Sequence, residues 1–181
     1  MYEHYSNKGL TGLGNLGNTC YLNSVTQIYA NCLELNEFLD IMSSLNKIVD
    51  SLLLIEYDEI RKIIWKKNVT IIPKKYVSVI FKVYKSKQYH DFSNFIQNDF
   101  MEFYDLLNDA FHNALKNINK YKFNLINDFI LSRDTVVESR TPNKKYISFI
   151  EKVFKDDYSI MKDIFCGVFE NNIVQKETNS I

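Results

Sequence analysis

Hydrophobic residues recur every three or four positions through the first two-thirds of the chain, which is the spacing of one face of an α-helix. A short stretch, Asn68–Ile72, breaks this spacing and is predicted to be extended, and Pro73 suits the start of the helix that follows it. The first two-thirds of the chain is therefore predicted to be mainly helical. The predicted helices cover Tyr21–Cys32, the stretch from Leu35 to about Trp65, Lys74–Lys85 and Gln97–Ile118.

The pattern changes after Lys122, where β-branched and aromatic residues become frequent. Such residues favour strands, and Thr141-Pro142-Asn143 has the composition of a turn between two of them. The predicted strands are Phe129–Val137 and Tyr146–Phe154. The fold class is accordingly α+β, with a helical part over about 9–120 and a strand-rich part over about 125–181.

The segment Gly14–Cys20 places a cysteine at the start of the first predicted helix. It contains two glycines and two asparagines, and either Asn18 or Thr19 is predicted to be the N-cap, with Cys20 in the first turn. A helix N-terminus carries partial positive charge and unpaired N–H groups, which favour a thiolate and can bind an oxyanion. The segment therefore predicts a catalytic cysteine, and a lone buried cysteine after a glycine loop is the alternative.

Composition narrows the class of protein. The chain has 181 residues, 46% of them hydrophobic, and a formal net charge of +0. One globular domain fits this length, and the charge balance gives no electrostatic case for binding nucleic acid or a membrane surface. Three cysteines cannot form a disulfide framework and lack metal-ligand spacing, which favours a reducing compartment. Without a signal peptide or a long apolar run, the sequence predicts a soluble intracellular protein.

The run from Gly12 to Ser24, together with Gln27, resembles the cysteine box of the ubiquitin-specific proteases, which are papain-like thiol enzymes that cut ubiquitin from its conjugates. The resemblance implies that Cys20 attacks the carbonyl of ubiquitin's terminal glycine and forms an acyl-enzyme. Asn15 would donate to the oxyanion together with the backbone N–H of Cys20. Three further residues would position the helix or line the groove for the ubiquitin tail, namely Tyr21, Asn23 and Gln27.

A second motif, Gln97-Asn98-Asp99 followed by Glu102, opens the last predicted helix. Asp99 and Glu102 are three residues apart, so they are predicted to share a helix face and to complement the helix dipole. Acidic residues at a helix start can have that role alone. The motif also resembles the second box of the same protease family, which implies that the acidic pair, with Gln97 beside it, holds the basic C-terminal tail of ubiquitin.

The resemblance extends to Tyr158–Gly167, which is similar to the strand that leads into the fingers region of these proteases. Gln175 and Thr178 stand where many members have a zinc-binding cysteine pair, so no metal and no cofactor are expected. Cys32 and Cys166 are expected to be ordinary small core residues. The implied fold is a single partial papain-like cysteine protease domain over residues 1–181, consisting of the helical thumb and the start of the fingers.

The catalytic histidine of the family, and the Asp or Asn that orients it, lie beyond the point that corresponds to Ile181. His4, His90 and His112 are expected to be structural or solvated. A missing C-terminal half, or a separate chain, would have to supply the histidine. Loss of the general base costs ~10²–10⁴-fold in rate, so this chain alone is expected to have negligible turnover.

Two other functions remain open from the sequence. The chain could be a non-catalytic module that binds ubiquitin or its conjugates through the acidic motif and does not cut them. It could also be a relic of a deubiquitinase that persists as a helical interaction protein. Retention of Cys20, Asn15 and both acidic residues favours the protease over a pure binding module, because a binding module has no need for the nucleophile.

Overall fold

The computed structural model describes residues 5–42, 51–116, 152 and 157–166. Helix dominates these residues, as the hydrophobic spacing predicts. In chain order the elements are β1 (Gly12–Leu13), α1 (Cys20–Ala30), α2 (Leu33–Ile41), α3 (Leu52–Lys66), β2 (Thr70–Ile71), α4 (Lys74–Ser86), a short 3-10 helix (His90–Ser93), α5 (Phe100–Leu115) and α6 (Ile160–Phe165).

The two short strands pair in parallel, with Gly12 opposite Thr70 and Leu13 opposite Ile71. The backbone N–H of Gly14 donates to the carbonyl of Ile71 at 2.8 Å, which continues the pairing by one residue. The extended stretch predicted around residue 70 is therefore confirmed. Its partner strand leads directly into the cysteine loop, so the start of that loop is fixed against β2.

The core is built around Tyr29 of α1, which is fully buried. Its ring lies 6.2 Å from that of Tyr57 in α3, 5.5 Å from that of Phe111 in α5 and 5.0 Å from that of Phe165 in α6. Edge-on and tilted rings at such distances gain attraction beyond the burial of their area. One aromatic side chain thus joins four helices.

Helices α1 and α5 run in parallel. Tyr21, near the start of α1, packs edge-on against Phe103 near the start of α5, with ring centroids 5.4 Å apart. Two turns later Tyr29 packs against Phe111, near the end of α5. The N-termini of both helices consequently lie at the same end of the molecule.

The helical stretch predicted from Leu35 to Trp65 consists of two helices, α2 and α3. Ser51 caps α3, because its hydroxyl accepts a hydrogen bond from the N–H of Leu54 at 3.4 Å. The pair is held together by Arg61, which is buried and contacts Asp58 of its own helix at 2.7 Å and Asp40 of α2 at 2.6 Å.

The predicted helix over Gln97–Ile118 begins later, at Phe100. Asp99 has extended backbone angles and occupies the N-cap, where its carboxylate accepts a hydrogen bond from the N–H of Glu102 at 3.0 Å. Asp99 therefore caps the helix and does not share a face of it with Glu102, which corrects that prediction. The helix ends at Leu115, and Ile118 lies outside the described residues.

The prediction of a strand over Tyr158–Gly167 is wrong, because this segment forms α6. Ile160 and Met161 are buried, and Ile164 and Phe165 follow one turn later and are half-buried. That spacing fits one face of a helix, and the face packs against α2 and α5. Phe129–Val137 and the pair Gln175 and Thr178 lie outside the described residues, as does Tyr146–Phe154 except for Lys152, which is helical.

Candidate functional site

The loop before α1 reverses the chain through two residues with left-handed backbone angles. Gly17 has φ +102° and Asn18 has φ +49°. Glycine adopts such angles without steric cost, and asparagine tolerates the left-handed region better than most other residues. The local composition that suggested a flexible polar loop therefore serves a defined turn that delivers the chain to Cys20.

Asn15 holds this turn together through its side-chain oxygen. That oxygen accepts hydrogen bonds from the N–H of Gly17 at 3.0 Å, from the N–H of Thr19 at 3.1 Å and from the hydroxyl of Thr19 at 2.9 Å. Three donors fix which end of the amide faces the loop. The amide nitrogen Nδ2 then lies on the opposite side, where it can donate to a ligand.

Thr19 occupies the N-cap of α1 and is fully buried, but its side chain does not cap the helix. Its hydroxyl instead accepts a hydrogen bond from the N–H of Leu16 at 3.0 Å and donates to Asn15. The prediction of an N-cap at Asn18 or Thr19 is thus confirmed for position and wrong for the capping bond. Because no side chain caps α1, the N–H groups of its first turn remain for an anion or an oxyanion.

Cys20 is the first residue of α1 and is exposed. Cys32 differs, because it is half-buried, its thiol contacts the Glu34 carboxylate at 3.6 Å, and burial raises its pKa. Cys166 follows the end of α6 and is exposed, which corrects the expectation of a core position. Exposure and a helix N-terminus therefore coincide at Cys20 alone among these three cysteines.

Polar side chains of α1 anchor the helix to the strand before it. Gln27 donates from Nε2 to the carbonyl of Thr11 at 2.8 Å. Asn23 donates from Nδ2 to the carbonyls of Leu13 and Gly14, each at 3.2 Å. Of the two roles considered for these residues, the contacts support positioning of the helix.

The acidic motif lies beside the cysteine loop because two asparagines bridge them. Asn98 donates from Nδ2 to the Tyr21 hydroxyl at 3.1 Å and to the carbonyl of Asp91 at 2.7 Å. Asn18 donates from Nδ2 to the carbonyl of Phe95 at 3.0 Å. Burial raises the pKa of Tyr21, so its phenol stays neutral and accepts from Asn98. Sequence analysis assigned no role to Asn98, although it stands inside the motif.

Asp99 and Glu102 are both exposed at this end of the molecule, and so is Gln97. One oxygen of Asp99 caps α5, which leaves its second oxygen and the whole Glu102 carboxylate to face solvent. Large apolar side chains are exposed on either side of the pair, namely Phe95, Ile96 and Met101. Such a surface can bind an extended peptide in which basic and apolar residues alternate.

Histidine stands elsewhere. His112 lies twelve residues after the start of α5, ~18 Å along the helix axis at 1.5 Å per residue. Its ring bridges the hydroxyl of Ser159 at 2.7 Å (Nδ1) and the carboxylate of Asp157 at 3.0 Å (Nε2). The structural role expected of His112 is confirmed, His90 is exposed, and His4 is outside the described residues. In the part of the chain that the structure describes, no imidazole contacts Cys20.

Lys162 and His112 hold the pKa of Asp157 at about 2, below its ordinary value of 3.8, through hydrogen bonds to the carboxylate. Within residues 5–42, 51–116 and 157–166, no group of three or more His, Cys, Asp or Glu side chains is arranged to hold a metal ion. No helix in these same ranges is both long and apolar enough to cross a membrane.

A family model described as "Ubiquitin carboxyl-terminal hydrolase" matches residues 11–181. The chain is 28% identical to ubiquitin carboxyl-terminal hydrolase 15 of Xenopus tropicalis, over 99% of this chain and 18% of that protein. It is 27% identical to ubiquitin carboxyl-terminal hydrolase Usp2 of Drosophila melanogaster, over 92% of this chain and 16% of that protein. The human hydrolase 15 is 29% identical, over 96% and 17% respectively. The chain thus spans less than a fifth of the length of these relatives.

Proposed function

The chain belongs to the ubiquitin carboxyl-terminal hydrolase family, and on that premise we propose that it is the nucleophile-bearing part of a cysteine deubiquitinase. Family membership confirms the resemblance inferred from the cysteine box. One observation carries the proposal further, to the site: exposed Cys20 begins an uncapped helix beside Asn15, whose amide oxygen is held by three hydrogen bonds.

In the proposed reaction the Cys20 thiolate attacks the carbonyl carbon of ubiquitin's C-terminal glycine. A sulfur–carbon bond forms, and the carbonyl electron pair moves onto oxygen, where Asn15 Nδ2 and the Cys20 N–H donate to it. The carbon–nitrogen bond then breaks, and the amine leaves with a proton. Water hydrolyses the resulting thioester, which releases the ubiquitin carboxylate and regenerates the thiol.

Binding of the ubiquitin tail is assigned to Asp99 and Glu102, with Gln97 beside them. The carboxylates can accept charge-assisted hydrogen bonds from basic side chains of the tail. Asn98 supports this assignment, because it links the motif to Tyr21, the residue next to the nucleophile. A tail held by the acidic pair is thereby directed towards the start of α1.

The proposed reaction needs a general base for both proton transfers, and the described residues place no imidazole at Cys20. A base is worth ~10²–10⁴-fold in rate. We therefore expect negligible turnover from this chain alone and full activity only where further protein, from the same chain or another, supplies a histidine to the site.

Covalent labelling tests this assignment without requiring turnover. The 181-residue chain is incubated with ubiquitin that carries a cysteine-reactive group at its C-terminus, and adduct formation is followed by mass spectrometry. Cys166→Ala is the matched control, because Cys166 is also exposed. We expect labelling in the parent chain and in Cys166→Ala, and none in Cys20→Ala.

Labelling that persists in Cys20→Ala would contradict the assignment of the nucleophile. Absence of labelling from a chain shown to be folded by circular dichroism would contradict the claim that these residues alone present a reactive thiol to the ubiquitin tail. A free thiol reagent of small size, applied in parallel, separates loss of thiol access from loss of ubiquitin binding.

A non-catalytic ubiquitin-binding module is the second candidate, and the missing imidazole contact at Cys20 favours it. This candidate predicts that ubiquitin binds the chain with the same affinity in Cys20→Ala as in the parent, and that Asp99→Asn with Glu102→Gln weakens binding. It also predicts no adduct with reactive ubiquitin. The labelling experiment therefore separates the two functions.

A further inference from the structure

Charge is segregated along the middle of the chain. Between residues 60 and 90 every charged residue apart from histidine is Lys or Arg, whereas between 91 and 110 every charged residue is Asp or Glu. The chain as a whole has a net charge of +0, so this separation is local. The basic residues are Arg61, Lys62, Lys66, Lys67, Lys74, Lys75, Lys82, Lys85 and Lys87.

Three of these residues are already neutralised by partners. Arg61 is buried against Asp58 and Asp40, Lys62 lies 2.6 Å from Asp58, and Lys75 lies 2.6 Å from Glu56. The remaining six are exposed and form no ion pair with the residues that the structure describes. They form what we call the lysine surface: Lys66, Lys67, Lys74, Lys82, Lys85 and Lys87.

The core of the lysine surface is one face of α4. At 100° per residue Lys74, Lys82 and Lys85 fall within about 80° of one another around the helix axis. The opposite face carries the buried side chains Val77 and Ile80. The apolar face of α4 is therefore fully used in the core, and the basic face is presented outward as a continuous stripe.

The stripe also carries charge where helix electrostatics disfavours it. Lys74 is the first residue of α4, at the positive end of the helix dipole, and Lys66 and Lys67 precede it across the short β2 segment. The N–H of Lys74 donates to Ile72, whose side chain lies against Gly14 of the cysteine loop. The lysine surface thus concentrates positive potential beside the loop that carries Cys20.

We propose that the lysine surface binds an acidic polypeptide segment of a protein partner. Charge complementarity selects an anion, and the surface suits a peptide better than a nucleic acid for two reasons. The only Arg between residues 60 and 90 is buried, so no guanidinium is left for phosphates. On α4 the aromatic rings of Tyr76 and Tyr84 are buried, so none is exposed on that helix for bases to stack on.

The length of the surface fits a short peptide. Helix α4 has 13 residues, which corresponds to ~20 Å at 1.5 Å per residue. An extended peptide covers that length with about six residues at ~3.3 Å each. This binding does not depend on the proposed cysteine chemistry, because it uses neither Cys20 nor the acidic motif.

The test is fluorescence anisotropy with the full chain and a labelled peptide of roughly eight residues rich in glutamate. Lys74→Gln, Lys82→Gln and Lys85→Gln are combined in one variant, and Lys8→Gln, Lys116→Gln and Lys152→Gln in a charge-matched control. We expect affinity to fall about tenfold in the first variant and less than twofold in the control, and to fall with rising salt. Thermal melts of both variants confirm folding, because exposed lysines contribute little to stability.

Equal loss of affinity in the two triple variants would overturn the proposal, because it would reduce the effect to net charge. Binding that persists when glutamine replaces glutamate in the peptide would also overturn it. So would tighter binding of a single-stranded oligonucleotide with the same number of charges. Salt-sensitive self-association that the lysine variant abolishes would assign the surface to a second copy of this chain instead.

Discussion

The two ends of the parallel helices α1 and α5 each hold part of a nucleophilic site. At the end where both helices begin, Cys20 is exposed and no imidazole contacts it among the described residues. Near the other end, the Ser159 hydroxyl, the His112 ring and the Asp157 carboxylate form a connected array, but Ser159 is fully buried. A hydroxyl–imidazole–carboxylate series is thus no evidence of catalysis where substrate cannot reach the hydroxyl, and an exposed thiol at a helix start is the stronger candidate.

The largest expected effect comes from exchanging the chemistry at the two ends. Cys20→Ser replaces the thiol by a hydroxyl that the helix terminus alone cannot ionise, so labelling by reactive ubiquitin should fall below detection. Ser159→Ala should label at the rate of the parent chain. Mass spectrometry of the adducts measures both, and slower labelling of folded Ser159→Ala would show that the two ends are coupled.

Asn15 allows the next test, because its two amide atoms have separate tasks. Asn15→Asp keeps an oxygen to accept from Gly17 and Thr19 and removes the Nδ2 donor, and Asn15→Ala removes both. Loss of an oxyanion donor costs ~10²–10³-fold in rate. In a longer chain that turns over a ubiquitin amide, we expect such a loss of kcat in both variants.

Thermal unfolding then distinguishes the two variants. Only Asn15→Ala should melt at a lower temperature, because only that variant leaves the loop N–H groups without their acceptor. A normal kcat in folded Asn15→Asp would mean that Asn15 acts through the loop alone.

His112 should matter for stability and not for labelling. His112→Ala leaves the buried Ser159 hydroxyl without its partner, which should lower the free energy of unfolding by ~1–3 kcal/mol. Urea titration measures this change. His90→Ala, at an exposed position, serves as the control and should change stability by less than ~0.5 kcal/mol.

The smallest effect concerns acid stability at the His112 end. Because the pKa of Asp157 is about 2 in the folded chain and 3.8 ordinarily, its ionised form favours folding. This contribution is fully present above the ordinary pKa and is lost as pH falls from about 4 towards 2. Urea midpoints of the parent should therefore approach those of Asp157→Asn over that window, and a difference that stays constant with pH would contradict it.

The sequence by itself determined the features that depend on neighbours within about one helical turn. The start of a helix at Cys20, the turn through Gly17 and Asn18, and the acidic start of α5 all follow from local hydrogen bonds and periodicity. Even the bonds from Asn15 to Gly17 and Thr19 span only a few residues. Local interactions of this kind are encoded in adjacent residues, so pattern and composition were sufficient to predict the candidate nucleophile.

Only the tertiary structure decided which distant groups meet. Asn98 and Tyr21 are 77 positions apart, and His112 and Ser159 are 47 apart, so no local pattern couples either pair. The run around Ile160 fits a strand or a helix by composition, and burial of Ile160 and Met161 against α2 and α5 selects the helix. Short apolar segments gain too little from local bonds to fix their own conformation, so the surface that buries them makes the choice.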